Sequence, residues 1–153
     1  MNTFEELRTL IRTLNASGLD YALCGGFALA VHGIVRATED FDLLLERPAL
    51  PALRVAVEPL GYRPYGRPMS FKDGRVKIRR FVKTDPPDPD FLVLDVLLVS
   101  SAIRLAWETR SRLQTDFGPV PVVSRAGLVH LKSLRGSGQD LDDIQKLKTN
   151  ESR

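Results

Sequence analysis

Residues Phe91 to Val99 read Phe-Leu-Val-Leu-Asp-Val-Leu-Leu-Val, apolar at every position except Asp95. Such a run, with no alternation of polar and apolar residues, is a strand buried on both faces. A chain that contains it must build a sheet and cover both sides of that sheet. It must also accommodate a carboxylate in its most apolar segment, where an unpaired charge is costly. At 153 residues the chain is near the size of one domain and can bury a sheet of this kind.

Strand and helix signals alternate around this run. Phe4, Leu7, Leu10, Ile11 and Leu14 share one helical face over 3–17, with Thr3 and Glu6 as a capping box and Gly18 as a stop. Tyr21 to Cys24 reads as a strand ending at Gly25-Gly26, from which a short helix, Phe27 to His32, opens. Phe41 to Glu46 alternates as a strand does, with Phe41, Leu43 and Leu45 on one side. Pro48 and Pro51 open a helix that runs to Leu60 and stops at Gly61. Residues 67–83 read as a hairpin turning at Asp73-Gly74. Ser100 to Leu113 reads as a helix capped by Ser100 or Ser101, followed by a small hairpin from Gln114 to Val123. Helices near 125–134 and 140–148 finish the chain. The expectation is one domain over 1–153, with its core at about 20–148. Its class is α/β, or α+β, a mixed sheet flanked by helices.

Composition excludes several alternatives. With 43% hydrophobic and 27% charged residues the chain is neither disordered nor collagen-like. A net charge of +3 is too small to argue for a nucleic-acid partner by itself. The one cysteine, Cys24, cannot form an internal disulfide. The N-terminal residues lack a signal-peptide pattern and no apolar stretch is long enough to span a bilayer, so the expected location is cytoplasmic, with no membrane partner.

Three carboxylates carry the chemistry. Asp40 and Asp42 are two residues apart at the start of a strand, so their side chains share a face and repel each other unless a cation, a proton or a basic partner intervenes. If the 91–99 strand lies beside Phe41 to Glu46, Asp95 joins them around one point. Three Asp carboxylates on a rigid sheet suit Mg²⁺, which is held by carboxylates, water and substrate phosphates. Gly25-Gly26 supplies a turn whose backbone a phosphate can approach closely. Taken singly, Gly-Gly is an ordinary turn and Asp-x-Asp an ordinary strand end. Together, in this order, they describe a nucleoside triphosphate site.

The run Gly25-Gly26, a spacer, Asp40-Phe41-Asp42 and Leu43-Leu44-Leu45, followed by Asp95 within Val93-Leu94-Asp95-Val96-Leu97, resembles the signature of the DNA polymerase β-like nucleotidyltransferase superfamily. The stretches GGFALAVHGIVRATEDFDLLL and LVHLKSLRGSGQDLDDIQKL are closer to its minimal bacterial branch, related to toxins of abortive-infection toxin–antitoxin systems. The resemblance covers roughly 20–148. It implies two Mg²⁺ ions held by Asp40 and Asp42, with Asp95 joining the catalytic ion or accepting the proton of the attacking hydroxyl. It also implies that Gly25 and Gly26 hold the β- and γ-phosphates while a nucleoside monophosphate passes to a hydroxyl of RNA, protein or a small molecule. Lys132 and Arg135 resemble the family's triphosphate-contacting basic residues, and read otherwise as a solvated helix face. Arg36 and Thr38 lie close enough to Asp40 to touch a phosphate or sugar, Arg36 reading equally as a surface residue. His32 reads as a packing residue, and Asp140 and Asp143 as N-terminal charges of the last helix. Partners implied by the resemblance are an antitoxin or a second copy of the chain. The alternative is an inactive module of the same fold that binds nucleic acid or a protein partner.

The small net charge hides a concentrated one. Residues 61–83 carry +7 and the rest of the chain −4. In the strand 75–83, Arg75, Lys77, Arg79 and Lys83 share one parity while Val76, Ile78 and Val82 share the other. One reading is an RNA-binding stripe, for tRNA among others, with Tyr65 and Phe81 available for stacking. The other is a charged edge hairpin that resists aggregation.

Overall fold

A computed structural model describes residues 1–35 and 37–151, the side chains of residues 150 and 151 excepted. In chain order the elements are α1 (Thr3–Ala16), β1 (Ala22–Cys24), α2 (Gly25–Val31), β2 (Phe41–Leu45), α3 (Leu50–Val57), β3 (Arg63–Pro64), β4 (Met69–Phe71), β5 (Val76–Thr84), β6 (Phe91–Leu98), α4 (Arg104–Glu108), β7 (Ser111–Thr115), β8 (Gly118–Val122), α5 (Arg125–Arg135) and α6 (Gly138–Glu151). Short 3₁₀ turns flank α3 and precede α4.

The strands form one mixed sheet in the order β3-β5-β6-β2-β1-β8-β7, with β4 also paired to β5. The buried run sits near its middle as β6, parallel to β2 and antiparallel to β5. Register divides the sheet into two chemically different faces. Phe41, Leu43 and Leu45 of β2 share one face with Leu94, Val96 and Leu98 of β6 and Phe81 of β5, all buried. This is the core face; α1 reaches it and packs against α3. Asp42 and Leu44 share the opposite face with Asp95 and Leu97 of β6 and with Val76, Ile78, Arg80 and Val82 of β5.

Most local expectations hold, and two are corrected. The cap of α1 is Asn2, whose side chain accepts from Glu5 N, rather than Thr3 with Glu6. The expected helix over 100–113 is only a 3₁₀ turn plus α4; Ser111 to Thr115 is instead strand β7, paired with β8 from Ser111↔Val122 to Thr115↔Gly118. Pairing with a neighbour, not local pattern, decides a short polar edge strand. On β5 the two parities fall on opposite faces as read: Lys77, Arg79 and Lys83 lie on the core-side face with Phe81, half-buried, while Val76, Ile78 and Val82 lie on the other. Lys83 donates to both Glu6 oxygens, at 2.8 and 2.9 Å, and so is committed to α1.

Candidate active site

The second face of the sheet floors a cleft of about 500 Å³, a volume typical of small-molecule sites. Cys24, Gly25, Asp42, Asp95, Arg80 and Leu97 line its floor; Leu128, Leu131, Lys132 and Arg135 of α5 form one wall, and Met69, Phe71, Val76 and Ile78 of the β4–β5 hairpin the other.

Asp42 and Asp95 are register partners on the parallel strands β2 and β6, so the two carboxylates stand side by side. Asp42 is also paired with Cys24 on β1, which places it beside the glycine turn that follows. Gly25 has φ +68°, and a Cβ there would overlap the Asp42 carboxylate. Gly26 lies in the same way against the Thr38 side chain. The glycines are therefore required by the close approach of Asp42 and Thr38 to the backbone. Asp40 lies just outside β2 and is exposed.

The electrostatics are those of a site with surplus negative charge. Burial, then Asp95 and Asp40, push Asp42 up to about 7. Burial and Asp95 also raise Asp40, against the pull of Arg80. No hydrogen bond to the Asp42 carboxylate forms among the described residues. Asp95 is treated differently: Arg80 Nε donates to its Oδ1 at 2.8 Å and Nη2 to its Oδ2 at 2.9 Å. Among the described residues no group of three or more carboxylate, His or Cys side chains converges as a ready metal cage. The donor chemistry still fits a hard divalent cation, with Asp42 forced toward protonation by neighbours that a cation would neutralise.

Lys132 and Arg135 do reach the cleft, but not as free cations. Lys132 is buried, with Nζ 2.9 Å from Asp143 Oδ2 and 3.6 Å from Asp140 Oδ1. Arg135 donates to both oxygens of Asp140, at 2.8 and 2.9 Å. Asp140 lies in the first turn of α6, as expected, and both Asp140 and Asp143 are wholly buried. Asp140 N donates to Ser137 Oγ and Ser137 N to Asp140, a reciprocal cap that starts α6. Together the four charged residues tie α6 to α5. Arg36 lies outside the described residues. His32 Nε2 donates to Val123 O at 2.9 Å, as a packing residue would.

Arg80 is the residue that sequence reasoning missed. It was counted with the basic stretch, yet it alone among the stretch's cations falls on the apolar parity of β5, opposite Asp95. A charge placed on an apolar parity was the available signal.

This mixed sheet covered by helices is the fold of nucleotidyltransferases. Solved structures agree. The lincosamide antibiotic adenylyltransferase LnuA, lincomycin-bound, matches at 16% identity and TM-score 0.67 over 95% of this chain and 96% of its own. An antigenic nucleotidyltransferase-like protein from Paracoccidioides brasiliensis matches at 21% identity and TM-score 0.59, over 94% of this chain and 75% of its own. ANT(2″)-Ia, in complex with adenylyl-2″-tobramycin, matches at 13% identity and TM-score 0.62, over 94% and 86%. The chain thus has the nucleotidyltransferase fold. No protein-family model and no curated protein sequence matches it. No described helix is long and apolar enough to cross a membrane.

Proposed function

We propose that the protein is a nucleotidyltransferase that moves a nucleoside monophosphate from a nucleoside triphosphate onto the hydroxyl of a small molecule with an apolar body. The observation that carries this reading is the pairing of Asp42 with Asp95 on the cleft floor, with Asp42 packed against the Gly25 turn. Asp40 and Asp42 would hold Mg²⁺, which when bound lowers the pKa of a coordinated hydroxyl and offsets phosphate charge.

The chain's own residues account for the rest. The Gly25-Gly26 turn, packed against Asp42 and Thr38, would bring backbone N–H groups to the phosphate oxygens of a nucleotide held beside Asp42. The acceptor hydroxyl attacks the α-phosphorus, the α–β bridging bond breaks, and pyrophosphate leaves. Asp95, held oriented in β6, is the group placed to take the hydroxyl proton. Lys132 and Arg135, fixed by Asp140 and Asp143, keep positive charge on one wall without having to move.

The acceptor class follows from the other wall. Met69, Phe71, Val76 and Ile78 present apolar surface to the cleft, and Phe71 is half-exposed. The basic parity of β5 faces away from the cleft, which favours a small acceptor over RNA. The neighbours whose names carry antibiotics, LnuA with lincomycin and ANT(2″)-Ia with adenylyl-2″-tobramycin, support a small-molecule acceptor without choosing its polarity. A toxin role and an antitoxin or homodimer partner rest on the sequence resemblance alone. The second reading, an inactive module, has one observation in its favour: both Asp95 oxygens are engaged by Arg80. The test is incubation with α-labelled nucleoside triphosphates, Mg²⁺ and matched acceptors: apolar-bodied alcohols, polycationic aminoglycosides and total tRNA. Label on the first class supports the reading; label on tRNA alone overturns the acceptor assignment; no pyrophosphate release with any of them supports the inactive module.

A further inference from the structure

Asp95 and Arg80 face each other in register across β6 and β5, on the cleft floor. The two parallel N–H···O bonds, at 2.8 and 2.9 Å, are the strongest arrangement that an arginine and a carboxylate make. The two partners are not equally fixed. Asp95 is 7% exposed and sits on the middle of a central strand, whereas the Arg80 side chain keeps 36% of its surface at the end of a long stem. Asp42, on the other side of Asp95, has no such partner, and Asp40 stands close by at the mouth of β2. Among the described residues, Arg80 is the cation bonded to one of these three carboxylates, and the one it holds is the buried Asp95.

We propose that Arg80 gates the metal site. In the nucleotide-free protein its guanidinium competes with a divalent cation for Asp95, and an incoming triphosphate draws the guanidinium onto its own oxygens and frees Asp95. The second half rests on the nucleotidyltransferase reading; the competition at Asp95 does not. A guanidinium fork matches phosphate oxygens as well as it matches a carboxylate, so the exchange keeps Arg80 paired throughout. Lys132 cannot make the same exchange, because it is buried between Asp140 and Asp143; Arg135 is forked onto Asp140 and not onto a carboxylate of the cleft floor. The consequence is order: a bare metal ion finds only Asp40 and Asp42 available, and the full carboxylate set forms once nucleotide has arrived. The single feature of the structure that favours an inactive protein then becomes the resting state of an active one.

The experiment is a Mn²⁺ titration, read by electron paramagnetic resonance, on nucleotide-free wild type, Arg80→Gln, Arg80→Lys, Asp95→Asn and the Arg80→Gln/Asp95→Asn double variant, each checked for fold by circular dichroism. Removing the competitor should tighten Mn²⁺ binding about tenfold in Arg80→Gln, and the gain should vanish in the double variant. Arg80→Lys keeps the charge but loses the fork, so it should show a smaller gain in the same direction, and it decides the matter if Arg80→Gln does not fold. Without metal, α,β-methylene-ATP should bind wild type about tenfold more tightly than Arg80→Gln. Mn²⁺ binding no tighter than wild type in the Arg80 variants, or a gain that survives loss of Asp95, overturns the competition. Equal binding of the analogue by wild type and Arg80→Gln overturns the release. If the Mn²⁺ gain appears but no nucleotide is ever turned over, the competition stands and the nucleotidyltransferase reading falls.

Discussion

The Asp42 carboxylate lies directly against the Cα of Gly25, at a backbone φ of +68° that side-chain-bearing residues rarely adopt. Chain conformation and site geometry are thus one constraint. Gly25→Ala must either shift the turn or push the carboxylate away from Asp95. A displacement of about 1 Å at a reacting centre costs about 100-fold in rate, and the strained backbone about 1–3 kcal/mol in stability. Single-turnover transfer and thermal melts of the purified variant check both.

Asp42 also makes the metal-free protein pH-sensitive. Its folded value of about 7 lies well above the roughly 3.9 of an unfolded aspartate. Between those values the folded state holds a proton that the unfolded state has released. Stability therefore falls as pH rises from about 4 to about 7, and stays lower above that. Asp42→Asn should melt higher than wild type at pH 8 in chelator, by about 2–4 °C, and match it near pH 4. Added Mg²⁺ should raise the melting temperature of wild type at pH 8 and leave Asp42→Asn unchanged. Melting curves at the two pH values, with and without metal, provide the check.

The opposite sign holds at Asp140. Burial raises this carboxyl, but hydrogen bonds from Arg135 and Ser137 overcome that and hold it at about 2. Its contribution is present above the unfolded aspartate value and is lost as pH falls through about 2. Asp140→Asn leaves Lys132 and Arg135 short of a partner in the α5–α6 network and should cost about 3–5 kcal/mol at pH 7. Chemical denaturation at pH 7 and pH 2 should show a large deficit at the first and a much smaller one at the second.

The basic stretch gives a prediction about partners. Lys83 is committed to Glu6, and Lys77 and Arg79 are half-buried on the core-side face. Reversing charge at Arg75, Lys77 and Arg79 together should leave binding of total tRNA at physiological salt unchanged, because no phosphate-tracking surface is formed there. A filter-binding titration at two salt concentrations reads this; a loss of affinity together with a shallower salt slope would restore the RNA reading.

The sequence revealed Asp42 and Asp95 separately, one through strand alternation and the other through its place in an apolar run. That they are register partners was a conditional statement, since strand order belongs to long-range pairing and not to local pattern. The same limit explains β7, whose polar residues follow α4 with no turn residue to mark the change and whose strand form depends on β8. It explains Lys132, Asp140 and Asp143 as well: Lys132 reads as a triphosphate contact or a solvated face and the aspartates as helix N-terminal charges, and only the docking of α6 on α5 buries them together. Arg80 was within reach, because a lone cation among Val76, Ile78 and Val82 is a break in pattern. Counting it with the basic stretch concealed that.

The central claim is that the carboxylate pair on the cleft floor performs nucleotidyl transfer. Pyrophosphate release from a nucleoside triphosphate, with Mg²⁺ and an apolar-bodied alcohol, tests it most directly in wild type and Asp42→Asn side by side. The account predicts release by wild type and a loss of about 100- to 1,000-fold in the variant, as expected when a group supporting transition-state charge is removed. Equal release by the two proteins, or none from wild type with any triphosphate, would contradict it.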